Sequence, residues 1–197
     1  MEEITKEEIK KLMEMPGKVR GTSFRTASQY ILEKEGKEGL KRLEKEMENL
    51  GHPLDFSKVK NLEWYPVGLR ALVFILLRKV FNWQDKDMIE MGSASPKFSF
   101  IVKITLKYLI SPRKVFELAS KHWRQHWTGG VLEQAEWHEK WCILRLKDFK
   151  FHPDYCLFLC GYFPRMGQLG GGKNVTCEET KCIHKGDPYH EFLIKWE

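Results

Sequence analysis

The chain has no long apolar run. The longest, Ala71 to Leu77, covers seven residues, far short of the ~20 that a helix needs to cross a bilayer. Low-complexity linkers and internal repeats are also missing, so the 197 residues read as one domain, 1–197. No stretch gathers charge of one sign. The 33 Lys and Arg against 27 Asp and Glu leave a formal +6 that is spread along the chain, and direct nucleic-acid binding is not expected. Three catalytic signatures are absent: the G-x-S-x-G elbow, the G-x-x-x-x-G-K-[ST] phosphate loop and the H-E-x-x-H zinc helix. The chain also carries no nicotinamide or flavin motif, so an enzyme is not the expected reading. No basic, apolar leader follows Met1, and the expected location is the cytoplasm.

Cysteine is scarce. Five cysteines in a cytosolic chain do not make a disulfide framework; where they cluster, metal or redox chemistry is the better reading. Aromatics, by contrast, are plentiful. They reach 13%, with seven Trp and twelve Phe, within an apolar share of 42%. That is enough for a core, with a surplus that suits a ligand pocket or an interface.

Residues 1–127 read as mainly helical. Leu40, Leu43, Met47 and Leu50 form one stripe, which Gly51 and Pro53 bring to an end. The mixed-sign segments 34–38 and 41–46 are solvated helix faces with i,i+4 pairs. Pro66 stands at a helix start, and the run Val67 to Phe81 is apolar nearly all round, as in a central buried helix. Ser95-Pro96 and Ser111-Pro112 repeat a capping serine followed by a first-turn proline. They predict two more helices, burying Phe100, Ile101, Ile104 and Tyr108, then Val115, Phe116, Ala119 and Trp123.

The pattern changes at 128–197. Gly129-Gly130 leads into a hairpin whose second strand alternates from Lys140 to Phe149 and whose turn lies near Trp137-His138-Glu139. Pro153 opens a helix, a glycine-rich loop covers 167–172, and two strands, 174–183 and 189–196, turn at 184–187. The predicted class is α+β: an N-terminal helical layer packed on an antiparallel β-β-α-β-β unit.

Four of the five cysteines lie between Cys156 and Cys182. If the last hairpin turns at Gly186, Cys182 and His190 stand across from each other, each four residues away. Adding Cys156 from the helix and Glu179 from the strand gives two sulfurs, a nitrogen and an oxygen, a set that suits tetrahedral Zn²⁺. The same residues also read as a core cysteine cluster without metal, or as a redox pair such as Cys177 with Cys182. Cys142 and Cys160 read as core.

Residues 156–190 run C-L-F-L-C-G-Y, then the glycine-rich loop, then E-T-K-C-I-H-K-G-D-P-Y-H. This resembles the 4-vinyl reductase domain, whose pattern is Cys, then Gly-Tyr five and six residues on, then E-x-x-C-x-x-x-G-x-x-x-C. Cys156, Gly161, Tyr162, Glu179, Cys182 and Gly186 fall in register; His190 stands where the last Cys would be. The close likeness covers about 35 residues, with a further similarity at Gly21-Thr22-Ser23-Phe24. The family serves as the ligand sensor of phenol-responsive activators, and its relatives include haem nitric-oxide-binding domains and Golgi transport-particle subunits.

The resemblance implies a structural zinc on Cys156, Glu179, Cys182 and His190. It also implies a pocket for a hydrophobic, aromatic or lipid-like small molecule between the helices and the sheet. Trp123, Trp127, Trp137 and Trp141, with His122 and its neighbour His126, are the candidate lining, Trp137 and Trp141 repeating a four-residue spacing seen in the phenol sensors. The expected protein is a sensory module, homodimeric through its N-terminal helices, passing its signal to a protein partner. The alternatives are a tetrapyrrole vinyl-reduction enzyme or accessory factor and a haem-based gas sensor. Against haem, the Y-x-S-x-R motif of the haem relatives is absent.

Overall fold

A computed structural model describes residues 4–99, 102 and 111–197. Helix α1 (Lys6–Met13) opens with a capping box, in which the Thr5 hydroxyl accepts from the Glu8 N–H and Glu8 accepts from the Thr5 N–H. Strand β1 (Lys18–Arg20) pairs antiparallel with β2 (Trp64–Pro66), and its Val19 also bridges Trp127. Between the two strands runs α2 (Thr22–Asn49), broken at Gly36, whose φ of 73° only glycine adopts freely. The stripe read from the sequence holds: Leu43 and Met47 are fully buried.

Helix α3 (Val67–Phe81) is buried nearly all round, as its composition predicts, and ends at Asn82 in the left-handed region. Helix α4 (Asp85–Phe98) departs from expectation. Its start is set by Gln84 and Asp87, which cap each other, and Pro96 falls in its last turn instead of opening a new helix. A proline fits the first turn without loss, whereas in the last turn it removes one helical bond and helps to end the helix; the capping pair at 84–87 is the stronger start signal here. Phe100, Ile101, Ile104 and Tyr108 lie outside the described residues. The second Ser-Pro pair behaves as expected. Ser111 accepts from the Lys114 N–H at 3.2 Å and Pro112 occupies the first turn of α5 (Pro112–Glu117), followed directly by α6 (Ala119–His126).

The four-stranded sheet has the order β3-β4-β6-β5, all antiparallel: β3 (Val131–Trp137), β4 (Trp141–Lys147), β5 (Thr176–Lys181) and β6 (His190–Lys195). Its inner face carries Cys142, Leu144 and Leu146 opposite Ile194, Phe192 and His190. Its outer face is charged, with Arg145 bound to Glu191 at 2.7 Å and Lys147 to Glu133 at 2.6 Å. This is the alternation of a one-sided sheet.

Helix α7 (Pro153–Leu169) covers that inner face and runs three residues into the glycine-rich loop predicted over 167–172. It crosses α4 with the backbones in close approach. A Cβ on Gly161 would come within 1.9 Å of the Ile89 carbonyl oxygen, and one on Gly92 within 1.9 Å of the Phe158 oxygen. No helix of the described residues is long and apolar enough to cross a membrane.

Candidate functional site

Two sites meet on α7. The first is the cluster predicted from the sequence. The ligating atoms of Cys156, Glu179, Cys182 and His190 all lie within 4.8 Å of one another. Cys156 Sγ is 4.0 Å from Cys182 Sγ and 3.4 Å from His190 Nδ1, which in turn is 3.1 Å from Glu179 Oε1.

The local structure explains how they converge. Glu179 pairs with Phe192 across the ladder, so its carboxylate shares the inner face with His190 and Phe192. A bulge between Glu179 and Lys181 then turns Lys181 toward Glu191 on the outer face. Cys182 lies one residue past β5, not within it as predicted, and leads into a 3₁₀ turn (Ile183–Lys185) that ends on Gly186 at φ 97°. The Asp187 carboxylate accepts from the Cys182 N–H at 2.8 Å and closes that loop. Cys156 comes down from the first turns of α7, whose start is fixed by Pro153 and by His152 Nδ1 accepting from the Asp154 N–H at 3.2 Å.

The electrostatics of the cluster follow from its burial. His190 is 2% exposed, and its Nε2–H donates to the Phe149 carbonyl at 3.1 Å. That bond orients the ring and turns Nδ1 toward the two sulfurs and the Glu179 carboxylate. Burial pushes both thiols up, with the Glu179 carboxylate adding to the effect at each. At Glu179 burial works to raise the carboxyl, but bonds from His190, Cys156 and Cys182 outweigh it and hold the group below its usual range. Four groups able to ligate a cation thus converge inside the protein, hydrogen-bonded to one another through the Glu179 carboxylate.

The second site is a cavity of about 110 Å³ between the start of α2, the end of α4, α5, α6 and α7. Its aromatic walls come from Phe116, Trp123, Trp127, Tyr155, Phe158 and Tyr162. Trp123 and Trp127 stack at 5.5 Å, and the Trp123 indole N–H is committed to the Gly129 carbonyl at 2.9 Å. Polar groups at the rim are the hydroxyls of Thr22, Thr26, Ser95 and Ser99 and the imidazoles of His122 and His126. Burial lowers both imidazoles, His126 to about 4, so both are neutral at pH 7.

Of the sequence-predicted lining residues, Trp123, Trp127 and His122 face this cavity, as does His126. Trp137 and Trp141 do not. Trp137 packs on Trp196 at 5.1 Å, and Trp141 stacks on His138 at 3.7 Å across the tip of the first hairpin. The four-residue spacing puts these two at the ends of adjacent strands, where Trp137 meets Trp196 and the Arg113 guanidinium of α5, not the cavity. Sequence reasoning missed Tyr155 and Phe158. It also missed Arg70, a fully buried guanidinium behind them. The signal was present, since Arg70 is the only charge in the apolar stretch 67–77.

The two sites touch. Phe149 accepts the His190 bond through its carbonyl, while its ring packs edge-on against Trp123 at 4.9 Å and Trp127 at 5.1 Å. Tyr155 and Cys156, successive on α7, face the cavity and the cluster respectively.

Comparison with solved structures establishes the architecture. An H-NOX protein from S. oneidensis in the Fe(II)NO ligation state superposes with a TM-score of 0.70 at 11% identity, covering 90% of this chain and 99% of that one. The chain has the H-NOX fold. An Fe(II) unliganded H-NOX protein from K. algicida gives 0.64 at 13% identity over 90% of this chain and 96% of that one. The solution structure of an H-NOX domain from Shewanella oneidensis in the Fe(II)CO state gives 0.66 at 11% over 90% and 98%. No family model matches the chain, and no curated protein matches it.

Proposed function

We propose that this protein is a small-molecule-binding sensory module: an aromatic cavity held in shape by a structural zinc. The observation that carries the reading is the position of Phe149, bonded to the cluster through its backbone and packed on the cavity tryptophans through its ring. A metal that fixes His190 thereby fixes a wall of the cavity.

The donor set fits zinc. With bonds of about 2.3 Å to sulfur and 2.0 Å to nitrogen or oxygen, tetrahedral ligands stand roughly 3.3–3.8 Å apart. The observed separations of 3.1, 3.4 and 4.0 Å bracket that range. Cys156, Cys182, Glu179 and His190 would hold the ion, with the Phe149 carbonyl orienting the imidazole. Four protein ligands leave no open position, so the ion is a staple joining α7 to the last hairpin, as the likeness to the 4-vinyl reductase domain implies.

The cavity suits a ligand of about one ring. An engineered apolar cavity of about 150 Å³ takes up benzene, and the space here is about 110 Å³. Titration with phenol and indole should quench or shift tryptophan fluorescence. At a hundredfold excess over Kd it should also stabilise the fold by about 2.7 kcal/mol. Absence of any response across such a panel, with the protein folded and free of carried ligand, would make the tryptophans core alone.

A second reading is a haem sensor, favoured by the fold and by two neutral imidazoles, His122 and His126, on the cavity wall. The site as folded does not fit the group: 110 Å³ lies well below the ~300–1,000 Å³ of pockets for larger ligands. A Soret band on the purified or haemin-treated protein would favour this reading over the first. We further propose homodimerisation through the helical layer, where Leu32 on α2 and Ile89 on α4 remain exposed; light scattering should give twice the chain mass. A protein partner would then receive the signal.

A further inference from the structure

Arg70 and Arg78 sit eight residues apart on α3, and both face α7. Arg78 is fully partnered. Asp154 takes two bonds from it, at 2.8 and 2.5 Å, and Asp85 a third at 2.7 Å. Arg70 has nothing comparable. It is 1% exposed, and its Nε and Nη1 have no hydrogen-bond partner among the described residues. Its companions are ring faces: Phe74 at 4.2 Å and Phe158 at 5.8 Å from the guanidinium carbon. Among the described residues the one titratable group that acts on it is the Tyr155 phenol; burial draws the guanidinium down to about 10, which leaves it charged at neutral pH.

An unpaired charge in an apolar interior is strongly unfavourable, and ring faces recover only part of the lost hydration. The protein nevertheless keeps Arg70 where any aliphatic side chain would pack without that penalty. Its two aromatic companions on α7, Tyr155 and Phe158, are themselves walls of the cavity and stack on each other at 5.4 Å. The guanidinium therefore lies behind the ring walls of the cavity, whose lining among the described residues includes no lysine or arginine.

We infer that the cavity's ligand is an organic acid: a single-ring apolar body in the space lined by Trp123, Trp127 and the α7 rings, with its carboxylate reaching Arg70. A guanidinium offers the planar fork that matches a carboxylate, and in this water-poor setting the pair is mutually compensating. This deepens the cavity reading and rests on it. The Tyr155 and Phe158 rings must part for the acid to seat, so its binding should perturb the tryptophan cluster through Trp127, which packs on Tyr155 at 5.0 Å.

The test is isothermal titration of the full chain with benzoate and phenylacetate, each beside its neutral amide and alcohol. Wild-type protein should prefer the acids by on the order of tenfold or more. R70M should erase that preference while keeping the neutral ligands, and its melting temperature without ligand should equal or exceed wild type, because a buried charge has been removed. R70K should retain a reduced acid preference, and it decides the matter if R70M fails to fold. Equal affinity for acids and neutral analogues in wild type would overturn the inference and leave the cavity reading intact. An R70M protein that folds but keeps the acid preference would also overturn it. No binding by any member of the panel would overturn the cavity reading itself.

Discussion

The cluster at His190 and the cavity beside Trp123 share one helix and one phenylalanine, yet they are assembled in opposite ways. Three of the cluster's four residues lie within a twelve-residue hairpin, 179–190, and the fourth, Cys156, in the first turn of the helix that precedes it. The cavity draws on residues from Thr22 to Met166 and on five helices. The cluster uses side-chain types that are costly to bury without a partner, whereas the cavity uses types that any core would use. The first kind of site announces itself in sequence; the second needs the fold.

The sharpest way to break the comparison is to remove the metal. Cys182→Ser should destabilise the protein by several kcal/mol, because binding a structural metal is folding free energy. The loss should reach the cavity through Phe149, blunting the fluorescence response to ligand as well. Phe149 joins the two sites, so they should not respond independently. A chelator and thermal melts of wild type and variant together would show both effects.

A second contrast separates the tryptophans. Trp123→Ala removes a buried cavity wall and its bond to Gly129, and should cost about 3–5 kcal/mol along with ligand binding. Trp137→Ala should leave ligand affinity unchanged, since Trp137 packs on Trp196 and Arg113 and does not line the cavity. Equal loss of binding in both would contradict the cavity as drawn.

The smallest effect is on pH dependence. His126 is held neutral, its pKa lowered from 6.5 to about 4 by burial and then by His122 and Arg20. A base with a depressed folded pKa contributes stability that is present above 6.5 and lost as pH falls from there toward 4. The contribution is up to about 3 kcal/mol. Denaturant melts across that window should show the decline, and His126→Phe should flatten it.

Much of the architecture was legible because periodicity and caps survive in the sequence: the all-apolar α3, the Ser111-Pro112 start, the β-β-α-β-β order. Ser95-Pro96 misled because the same dipeptide also closes a helix, and only the competing cap at Gln84 settles which. The Cys182–His190 pairing was read as a simple hairpin; the bulge after Glu179 and the 3₁₀ turn are backbone events with no side-chain signature beyond Gly186. Trp137 and Trp141 lie outside the cavity lining because spacing along a strand does not say which part of the helical layer lies over it: Trp137 meets Arg113 instead. Arg70 was overlooked as one charge in an apolar run, although such a charge is the residue most in need of a partner.

The most direct test of a metal-stapled ligand module is elemental analysis of the full chain purified without chelator. Cys156, Glu179, Cys182 and His190, with donor atoms all within 4.8 Å, should retain one zinc per chain. The Cys182→Ser protein should retain none. A folded wild-type protein without metal, whose melting temperature does not respond to added zinc, would contradict the account.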